Sequence, residues 1–252
     1  MKKALIVIIT VFSLSFVACN NEEPKPKVIY DATRSVKAPI KRIDSTQIKI
    51  ADLPVHMDGT KYLIHPIGDI RIYDDSNRSY GSSRTNGNVS YAISNYNRFE
   101  ITGYFENLKF QHIDSTALRP LTDKKIQIQT ATYLNTIADK YRKHVLLYTV
   151  VDSDTNQDSK VDANDIRSLY ISDGAGMGFR KLSQDVQELI DWNIVEVQGR
   201  VYFRTIEDIN KNGAFDKNDK VHYYYVDLVS PEWEVTSYEP VETVVRDTIA
   251  NQ

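Results

Sequence analysis

Two acidic twelve-residue segments, which begin 54 positions apart at Asp154 and Asp208, constrain the fold of this chain more than any other feature. In both segments, side chains with oxygen atoms occupy positions 1, 3, 5, 9 and 12. These positions hold Asp154, Asn156, Asp158, Asp162 and Asp165 in the first segment, and Asp208, Asn210, Asn212, Asp216 and Asp219 in the second. This regular repetition predicts two equivalent structural units, each carrying one tight loop.

The alternation of oxygen atoms suits a calcium ion, which takes six to eight oxygen ligands at about 2.3–2.6 Å. Position 7 of such a loop contributes its main-chain carbonyl, so Lys160 and Ala214 are candidate ligands through the backbone. Position 6 must turn sharply, which favours glycine. Gly213 meets this need and Ser159 departs from it. The sequence therefore predicts two Ca²⁺ sites, with ordinary Asp- and Asn-rich turns as the alternative.

The register of the first loop needs a choice, because Asp152 offers a second starting point. That start would place Ala163 at position 12 and remove the last carboxylate. A start at Asp154 supplies all five side-chain oxygens and aligns with the second loop. It also places Val161 and Phe215 at position 8 of the two loops, where we expect them to point inward.

Segments of strand length surround both loops. Leu147–Val151 and Val201–Thr205 precede them, and Ile166–Asp173 and Lys220–Asp227 follow them, all rich in β-branched and aromatic residues. We therefore expect the loops in β-hairpins rather than between EF-hand helices. Their ligand pattern resembles the calcium loops of dockerins and the Asp-rich hairpin loops of integrin-type propeller blades. Asp at position 12 matches dockerins, whereas many EF-hands carry Glu there.

The N-terminus has the features of a sorting signal. Lys2 and Lys3 precede a mostly apolar run over residues 4–18, which is short for a membrane-spanning helix. The run ends at Cys19, the single cysteine of the chain, in a sequence that resembles a bacterial lipobox. The resemblance implies a signal peptide over residues 1–18 and lipidation of Cys19, with an uncleaved anchor or a plain secretion signal as the alternatives.

A polar, proline-containing stretch follows Cys19, and we interpret residues 19–47 as the lipidated cysteine and a tether. Asn20 is not the Asp of an inner-membrane retention signal, and the pair Glu22 and Glu23 resembles the surface-export signals of Bacteroidetes lipoproteins. The resemblance implies an outer-membrane lipoprotein on the periplasmic or cell-surface face. The formal net charge of −3 gives no basic excess to hold nucleic acid.

The remaining sequence predicts a single all-β domain over residues 48–240, followed by an extension over 241–252. Its strands group into repeated four-stranded antiparallel units. One unit is predicted at 126–134, 144–152, 166–173 and 178–182, the next at 189–197, 200–207, 220–228 and 232–238, and an earlier one at 89–94, 99–105, 108–114 and 117–121. A fourth unit is a candidate from residue 48 to about 75, with strands at 61–65 and 69–73. Residues 135–143 favour a helical turn.

Two of these units share one similar segment. The segment from Phe110 to Asp114, followed by Arg119–Thr122, is similar to Tyr170–Asp173 followed by Arg180–Ser183. This arrangement resembles TolB-like β-propeller repeats over about residues 100–240. The resemblance implies a partial or small β-propeller-like architecture. An open stack of sheets or a β-sandwich is the alternative.

Catalytic patterns are missing from the sequence. The five histidines form no zinc motif, and neither a phosphate-binding loop nor a nucleophile elbow occurs. The glycine-rich run Gly174–Gly178 favours a plain turn, and we expect Asp185 and Glu188 on a solvated helical turn rather than as a catalytic pair. Tyr223–Tyr225 could bind sugars or peptides, but core packing on both faces of the strand is the favoured interpretation.

The sequence thus predicts a protein that is not an enzyme. We expect a lipid-anchored, calcium-binding module that binds a polysaccharide or an envelope protein, or serves as a scaffold, with calcium in a structural role. A glycan-acting hydrolase and a purely structural accessory protein of the envelope are the alternatives.

Overall fold

The computed structural model describes residues 26–30, 47–71 and 92–241. The predicted signal peptide, Cys19 and most of the tether lie outside these ranges, as do residues 242–252 of the predicted C-terminal extension. Within the described ranges, no helix has both the length and the apolar character needed to cross a membrane.

Antiparallel strands make up nearly all of the regular structure, which confirms the all-β prediction. The one helix of the described residues, α1, covers Asn135–Tyr141, where the sequence predicts a helical turn. The strands are β1 (Gln47–Ala51), β2 (Val55–His56), β3 (Tyr62–Arg71), β4 (Ser94–Asn97), β5 (Glu100–Phe105), β6 (Asn107–His112), β7 (Leu118–Pro120), β8 (Gln127–Tyr133), β9 (Val145–Val151), β10 (Arg167–Asp173), β11 (Arg180–Lys181), β12 (Gln187–Val195), β13 (Arg200–Glu207), β14 (Lys220–Asp227) and β15 (Val235–Tyr238).

These strands form three sheets in the described part of the chain. Sheet I has the order β1-β3-β6-β7, with β2 also paired to β3. Sheet II has the order β11-β10-β9-β8-β5-β4, and sheet III has the order β12-β13-β14-β15. The predicted units β8–β11 and β12–β15 are both confirmed as four-stranded meanders. The three sheets of the described residues are fewer than the four to eight blades of a closed propeller, and they are consistent with either a propeller-like arrangement or a sandwich.

The earlier predicted unit is wrong as a unit, although three of its strands lie near their predicted bounds. The strand predicted at 89–94 is displaced, because β4 begins only at Ser94, and residues 89–91 lie outside the described ranges. β4 and β5 join sheet II beside β8, whereas β6 and β7 join sheet I beside β3. Glu106 alone separates β5 from β6, and a hairpin needs a loop of at least two residues, so the chain crosses between sheets there. The break predicted between the strands at 61–65 and 69–73 is wrong, because β3 runs unbroken from Tyr62 to Arg71, and residues 72–73 lie outside the described ranges.

Sheet II lies between the other two sheets, and this explains the continuous apolar sequence of β9. Leu146, Tyr148 and Val150 belong to the core shared with sheet I, whereas Val145 and Leu147 belong to the core shared with sheet III. Successive side chains of a strand point to opposite faces, so a strand covered on both sides is apolar at every position.

The segment that is repeated in the sequence, at Arg119 and at Arg180, makes a similar connection between sheets in both places. Arg119 on the β6–β7 hairpin of sheet I donates a hydrogen bond to the carbonyl of Ala175 in sheet II. Arg180 in sheet II donates in the same way to the carbonyl of Trp233 in sheet III. Each guanidinium also lies near an aromatic ring, that of Phe110 or Trp233, at 5.6 and 6.0 Å from the ring centres. The repeat therefore fixes the order in which the sheets stack.

Candidate metal-binding loops

Both acidic segments lie in β-hairpins, as the sequence predicts. The first loop, residues 154–165, connects β9 to β10, and the second loop, residues 208–219, connects β13 to β14. The strands on either side are paired in register, Val151 with Arg167 and Glu207 with Lys220. Each loop therefore projects from the end of its sheet, with its own bases held by strand hydrogen bonds.

The carboxylate at position 1 organises the first half of each loop. In the first loop, Asp154 accepts the amides of Asp158 and Ser159, at 3.0 and 2.7 Å. In the second loop, Asp208 accepts the amides at the same two positions, Asn212 at 3.2 Å and Gly213 at 2.7 Å. The sequence repeat is thus also a repeat of hydrogen-bond geometry.

Positions 3, 5 and 9 follow one rule, in which the side-chain oxygen accepts the amide two residues ahead. Such turns keep the side-chain oxygens on the inside of the loop. The pairs are Asn156 with Asp158 (2.9 Å), Asp158 with Lys160 (2.9 Å), Asp162 with Asn164 (2.9 Å), Asn210 with Asn212 (2.9 Å), Asn212 with Ala214 (2.8 Å) and Asp216 with Asn218 (2.7 Å).

The backbone turns sharply at position 6 of both loops, as predicted. Ser159 has a φ of 70° and Gly213 a φ of 83°. A left-handed conformation costs a residue with a Cβ about 1–2 kcal/mol, so Ser159 is strained and Gly213 is not. The side chains at position 8, Val161 and Phe215, remain partly exposed, so their predicted inward orientation is only partial. They lie on loops that project beyond the sheets, where little core is available to cover them.

The two loops differ at position 12. Asp165 is fully buried, and its Oδ1 accepts the amides of Thr155 and Asn156 at 2.8 and 3.1 Å. Its Oδ2 accepts the amide of Asp162 at 3.0 Å. The counterpart, Asp219, accepts through Oδ2 only, and its Oδ1 is buried without a hydrogen-bond partner within the described structure. An unpaired buried carboxylate oxygen is unfavourable unless a donor or a cation compensates it.

The predicted ligands of each loop are therefore near one another but not gathered at a point. Among the described residues, no three His, Cys, Asp or Glu side chains converge as a metal cluster. The predicted ligand sets include asparagine oxygens and the carbonyls of Lys160 and Ala214 as well as carboxylates. In this geometry the carboxylates of each set accept hydrogen bonds from loop amides. A bound cation would have to move these carboxylates toward a common point.

The segment from Pro26 to Tyr30 lies between the two loops, a contact that sequence reasoning missed. The amide of Lys27 donates to the carbonyl of Gly213 in the second loop at 2.7 Å. The amide of Ile29 donates to the carbonyl of Thr155 in the first loop at 2.9 Å, and the Thr155 hydroxyl donates to the Lys27 carbonyl at 2.7 Å. Part of the predicted tether thus bridges the two loops.

Two further side chains fasten this segment. The ammonium of Lys27 pairs with Glu188, which is nearly buried and also receives the guanidinium of Arg167 at 2.8 Å. Burial and then the negative charge of Asp208 raise the pKa of Tyr30 to about 12. The two cations that pair with Glu188 lie 21 and 161 positions from it in the sequence, so no local pattern could reveal this cluster.

Asp185 and Glu188 pair with different cations. Asp185 is exposed and pairs with Lys181 at 2.7 Å, whereas Glu188 is taken up by Lys27 and Arg167. The predicted helical turn is wrong as well, because Glu188 belongs to strand β12. Neither carboxylate lines the cavities of about 1,040 and 700 Å³.

The tyrosines of sheet III divide between its two faces. Tyr224 is buried against sheet II and stacks on Phe203, with ring centres 5.1 Å apart, which confirms core packing for this residue. The outer tyrosine face consists of Tyr202, Tyr223, Tyr225 and Tyr238, whose neighbouring rings lie 5.5 to 6.1 Å apart. Core packing on both faces is therefore wrong for the outer tyrosines, because sheet II covers only one face of sheet III.

Comparisons with known proteins add little. No family model matches the chain, and no curated protein does. A solved structure that aligns with it belongs to a protein provisionally assigned as TolB, from Agrobacterium tumefaciens. That alignment covers 74% of this chain and 80% of the other at 8% identity, with a TM-score of 0.21. A similarity this low carries no argument about function, and the all-β assignment rests on the strands themselves.

Proposed function

We propose that this chain is a calcium-binding, lipid-anchored protein of the bacterial envelope, which serves as a binding or scaffolding module. Calcium has a structural role: it holds the two hairpin loops in one conformation. The anchor is the lipidated Cys19 at the outer membrane, on its periplasmic or cell-surface face. Neither catalysis nor nucleic-acid binding is part of the proposal.

One observation carries the calcium proposal furthest. The second loop holds a buried carboxylate oxygen, Oδ1 of Asp219, that no donor of the described structure reaches. It occupies position 12, the last ligand position of the spacing predicted from the sequence. A Ca²⁺ ion in the loop would compensate this oxygen, and oxygen side chains already occupy the other ligand positions.

Calcium would act on more than the loops. Because Pro26–Tyr30 is hydrogen-bonded to both loops, fixing the loops also fixes this segment. The segment begins seven residues after Cys19. Calcium would then determine how closely the domain is held to its lipid anchor.

The outer tyrosine face supports a polysaccharide as the ligand of the module. Exposed tyrosine rings on a flat sheet can stack on sugar rings, and their hydroxyls can bond to sugar hydroxyls. Tyr238 is 37% exposed and contacts the rings of Tyr202, Tyr223 and Tyr225. An envelope protein is the second candidate for this face, since aromatic residues are also enriched at protein interfaces.

Thermal unfolding tests the calcium role. At 10 mM Ca²⁺ a site with a dissociation constant of about 10⁻⁴–10⁻³ M adds about 1.5–3 kcal/mol of stability. We expect a higher melting temperature in calcium than in chelator, and a smaller difference in Asp154→Ala and Asp208→Ala. Asp139→Ala, at an exposed helix position outside the loops, should keep the full difference. An equal melting temperature of the wild type in calcium and chelator would refute the proposal.

A further inference from the structure

A cavity of about 700 Å³ opens where loops from all three sheets meet. Sheet I contributes residues 59–62, sheet II contributes 142–145 and the turn 173–178, and sheet III contributes the loop 230–233. Its volume lies in the range of pockets that bind small molecules, about 300–1,000 Å³. None of the residues of the acidic loops lines it.

Positive charge dominates the lining of this cavity. Lys61, Arg142 and Lys143 are all exposed, and no ion pair involving them exists among the described residues. The single acid of the lining, Asp173, already accepts the amides of Ala175 and Met177, at 2.9 and 2.7 Å. A cavity with three cations and one occupied carboxylate favours an anion.

The larger cleft of about 1,040 Å³ provides a contrast. Its lining contains five lysines and five acids, so it has no excess of either sign. The lysines are Lys49, Lys109, Lys124, Lys125 and Lys160, and the acids are Asp69, Glu106, Asp123, Asp158 and Asp162. Positive excess is therefore a property of the smaller cavity rather than of this protein's cavities in general.

An apolar wall accompanies the charge. Met177 is 54% exposed in the turn of sheet II, and Trp233 is partly exposed in the loop of sheet III. The main chain of this turn packs closely at Gly174, where a Cβ would lie 2.8 Å from the Cβ of His144. The glycine-rich turn, interpreted from the sequence as a plain turn, thus places Met177 on the same cavity that Trp233 lines.

Arg142, one of the three cations of the lining, has an unusual backbone conformation. It ends helix α1 in a left-handed conformation, with a φ of 57°, and its amide donates to the carbonyl of Ala138 at 3.0 Å. Glycine is the residue that this helix-ending position favours, because it avoids the steric cost of a Cβ. Arg142 brings strain to the fold and a guanidinium to the cavity. Strained positions of this kind cluster at binding sites.

We propose that this cavity binds a small organic anion, a carboxylate or a phosphate carried on an apolar body. Arg142 and Lys143 would hold the anionic group by charge-assisted hydrogen bonds. Met177 and Trp233 would contact the apolar body. This site is independent of the calcium role, because its residues and those of the loops do not overlap, so either proposal can fail without the other.

Tryptophan fluorescence tests the site directly. The chain has two tryptophans, Trp192 and Trp233, so Trp192→Phe leaves one reporter, which lines the cavity. This variant is titrated with phenylacetate, with phenyl phosphate and with the uncharged 2-phenylethanol, at constant calcium. We expect saturable changes with at least one anion, which identifies the preferred group, and none with the alcohol. Equal responses to the alcohol and the anions, or no saturable response, would overturn the proposal.

Three further variants, made in the same background, locate the charge. Arg142→Gly suits the backbone and should leave the melting temperature unchanged or higher, while weakening anion binding about tenfold or more. Lys143→Gln should weaken it in the same direction. The matched control, Lys124→Gln with Lys125→Gln, removes two charges from the larger cleft and should leave binding unchanged. An equal loss in the control and in Arg142→Gly would show nonspecific attraction and overturn the assignment.

Discussion

The two acidic loops share one ligand spacing and one hydrogen-bond pattern, yet they differ at the two positions that matter most for a cation. At position 12, Asp165 is compensated by three loop amides, whereas Asp219 keeps one buried oxygen without a partner. At position 6, the first loop places Ser159 in a conformation that suits Gly213 of the second. Among the described residues, hydrogen bonds thus compensate both oxygens at position 12 of the first loop and only one oxygen in the second.

The difference at position 12 bears on which loop binds calcium more tightly. The first loop has four carboxylates and one lysine, and the second has three carboxylates and two lysines, so charge favours calcium in the first. Ligand availability favours the second, because Asp219 gives up no hydrogen bond at Oδ1, whereas Asp165 would have to release amides. We expect the second loop to bind calcium more tightly.

The largest effect should come from neutralising position 12 in chelator. Asp165→Asn places an amide group against the amides of Thr155, Asn156 and Asp162, and should lower the free energy of unfolding by about 2–3 kcal/mol. Asp219→Asn can keep an oxygen for the amide of Asp216 and removes the carboxylate oxygen that has no partner among the described residues, so it should leave the free energy of unfolding unchanged or higher. Urea unfolding in chelator measures both. Equal losses in the two variants would contradict the comparison.

Gly213→Ala should have the next largest effect. The added Cβ would lie 2.5 Å from the carbonyl oxygen of Val28 and 2.7 Å from Pro26, at a φ of 83°. We expect a loss of about 2 kcal/mol, because backbone strain and displacement of the N-terminal segment act together. Gly178→Ala is the matched control, since its φ is also positive but no atom lies within 4 Å of its Cβ. The control isolates the strain, and an equal loss in both would show that the segment contributes nothing.

Thr155→Val should have a moderate effect on both the N-terminal segment and the base of the first loop. It removes the hydroxyl that donates to the Lys27 carbonyl and accepts the amide of Ile166 at 3.1 Å, each at a cost of about 1 kcal/mol. Trypsin should then cleave after Lys27 faster, and the melting temperature should fall because the amide of Ile166 loses its acceptor. Thr130→Val, which removes a hydroxyl pair with Thr149 between β8 and β9, is the control and should leave this cleavage unchanged. If Thr155→Val leaves the cleavage rate unchanged, the first loop does not hold the segment.

Ser159→Gly should have the smallest effect, and the opposite sign. It relieves the strain at a φ of 70°, while glycine adds entropy to the unfolded chain, so the net gain is about 0.5 kcal/mol. It should also raise the calcium affinity of the first loop toward that of the second. Calorimetric unfolding in chelator and in calcium would detect both changes, and a destabilised variant would show that Ser159 makes a contact the account omits.

Local patterns in the sequence predicted much of the fold. The strands β8 to β15 lie within a few residues of their predicted bounds, because alternating or continuous apolar runs bounded by turns determine strands locally. The loop register at Asp154 follows from a repeat, which two copies make unambiguous. The segment repeated at Arg119 and Arg180 also has a structural counterpart, because each arginine donates a hydrogen bond to the next sheet.

Features that depend on distant residues were beyond prediction. The crossing at Glu106 depends on where β6 finds a partner, and β3 lies far away in the sequence. The N-terminal segment reaches the loops across 128 positions at Thr155. The cavity at the junction of the sheets needs four separate segments. Oδ1 of Asp219 is unpaired because no donor of the described residues reaches it, and the spacing of ligands in the sequence does not predict where a donor will be absent.

Isothermal titration of Ca²⁺ into chelator-treated protein, with Asp154→Asn and Asp208→Asn measured beside it, would test calcium binding by the two loops. We expect two ions per chain, the tighter one lost in Asp208→Asn and the weaker one lost in Asp154→Asn. No binding at millimolar calcium would contradict the proposed function. Tighter binding at the first loop would contradict the comparison on which the other predictions rest.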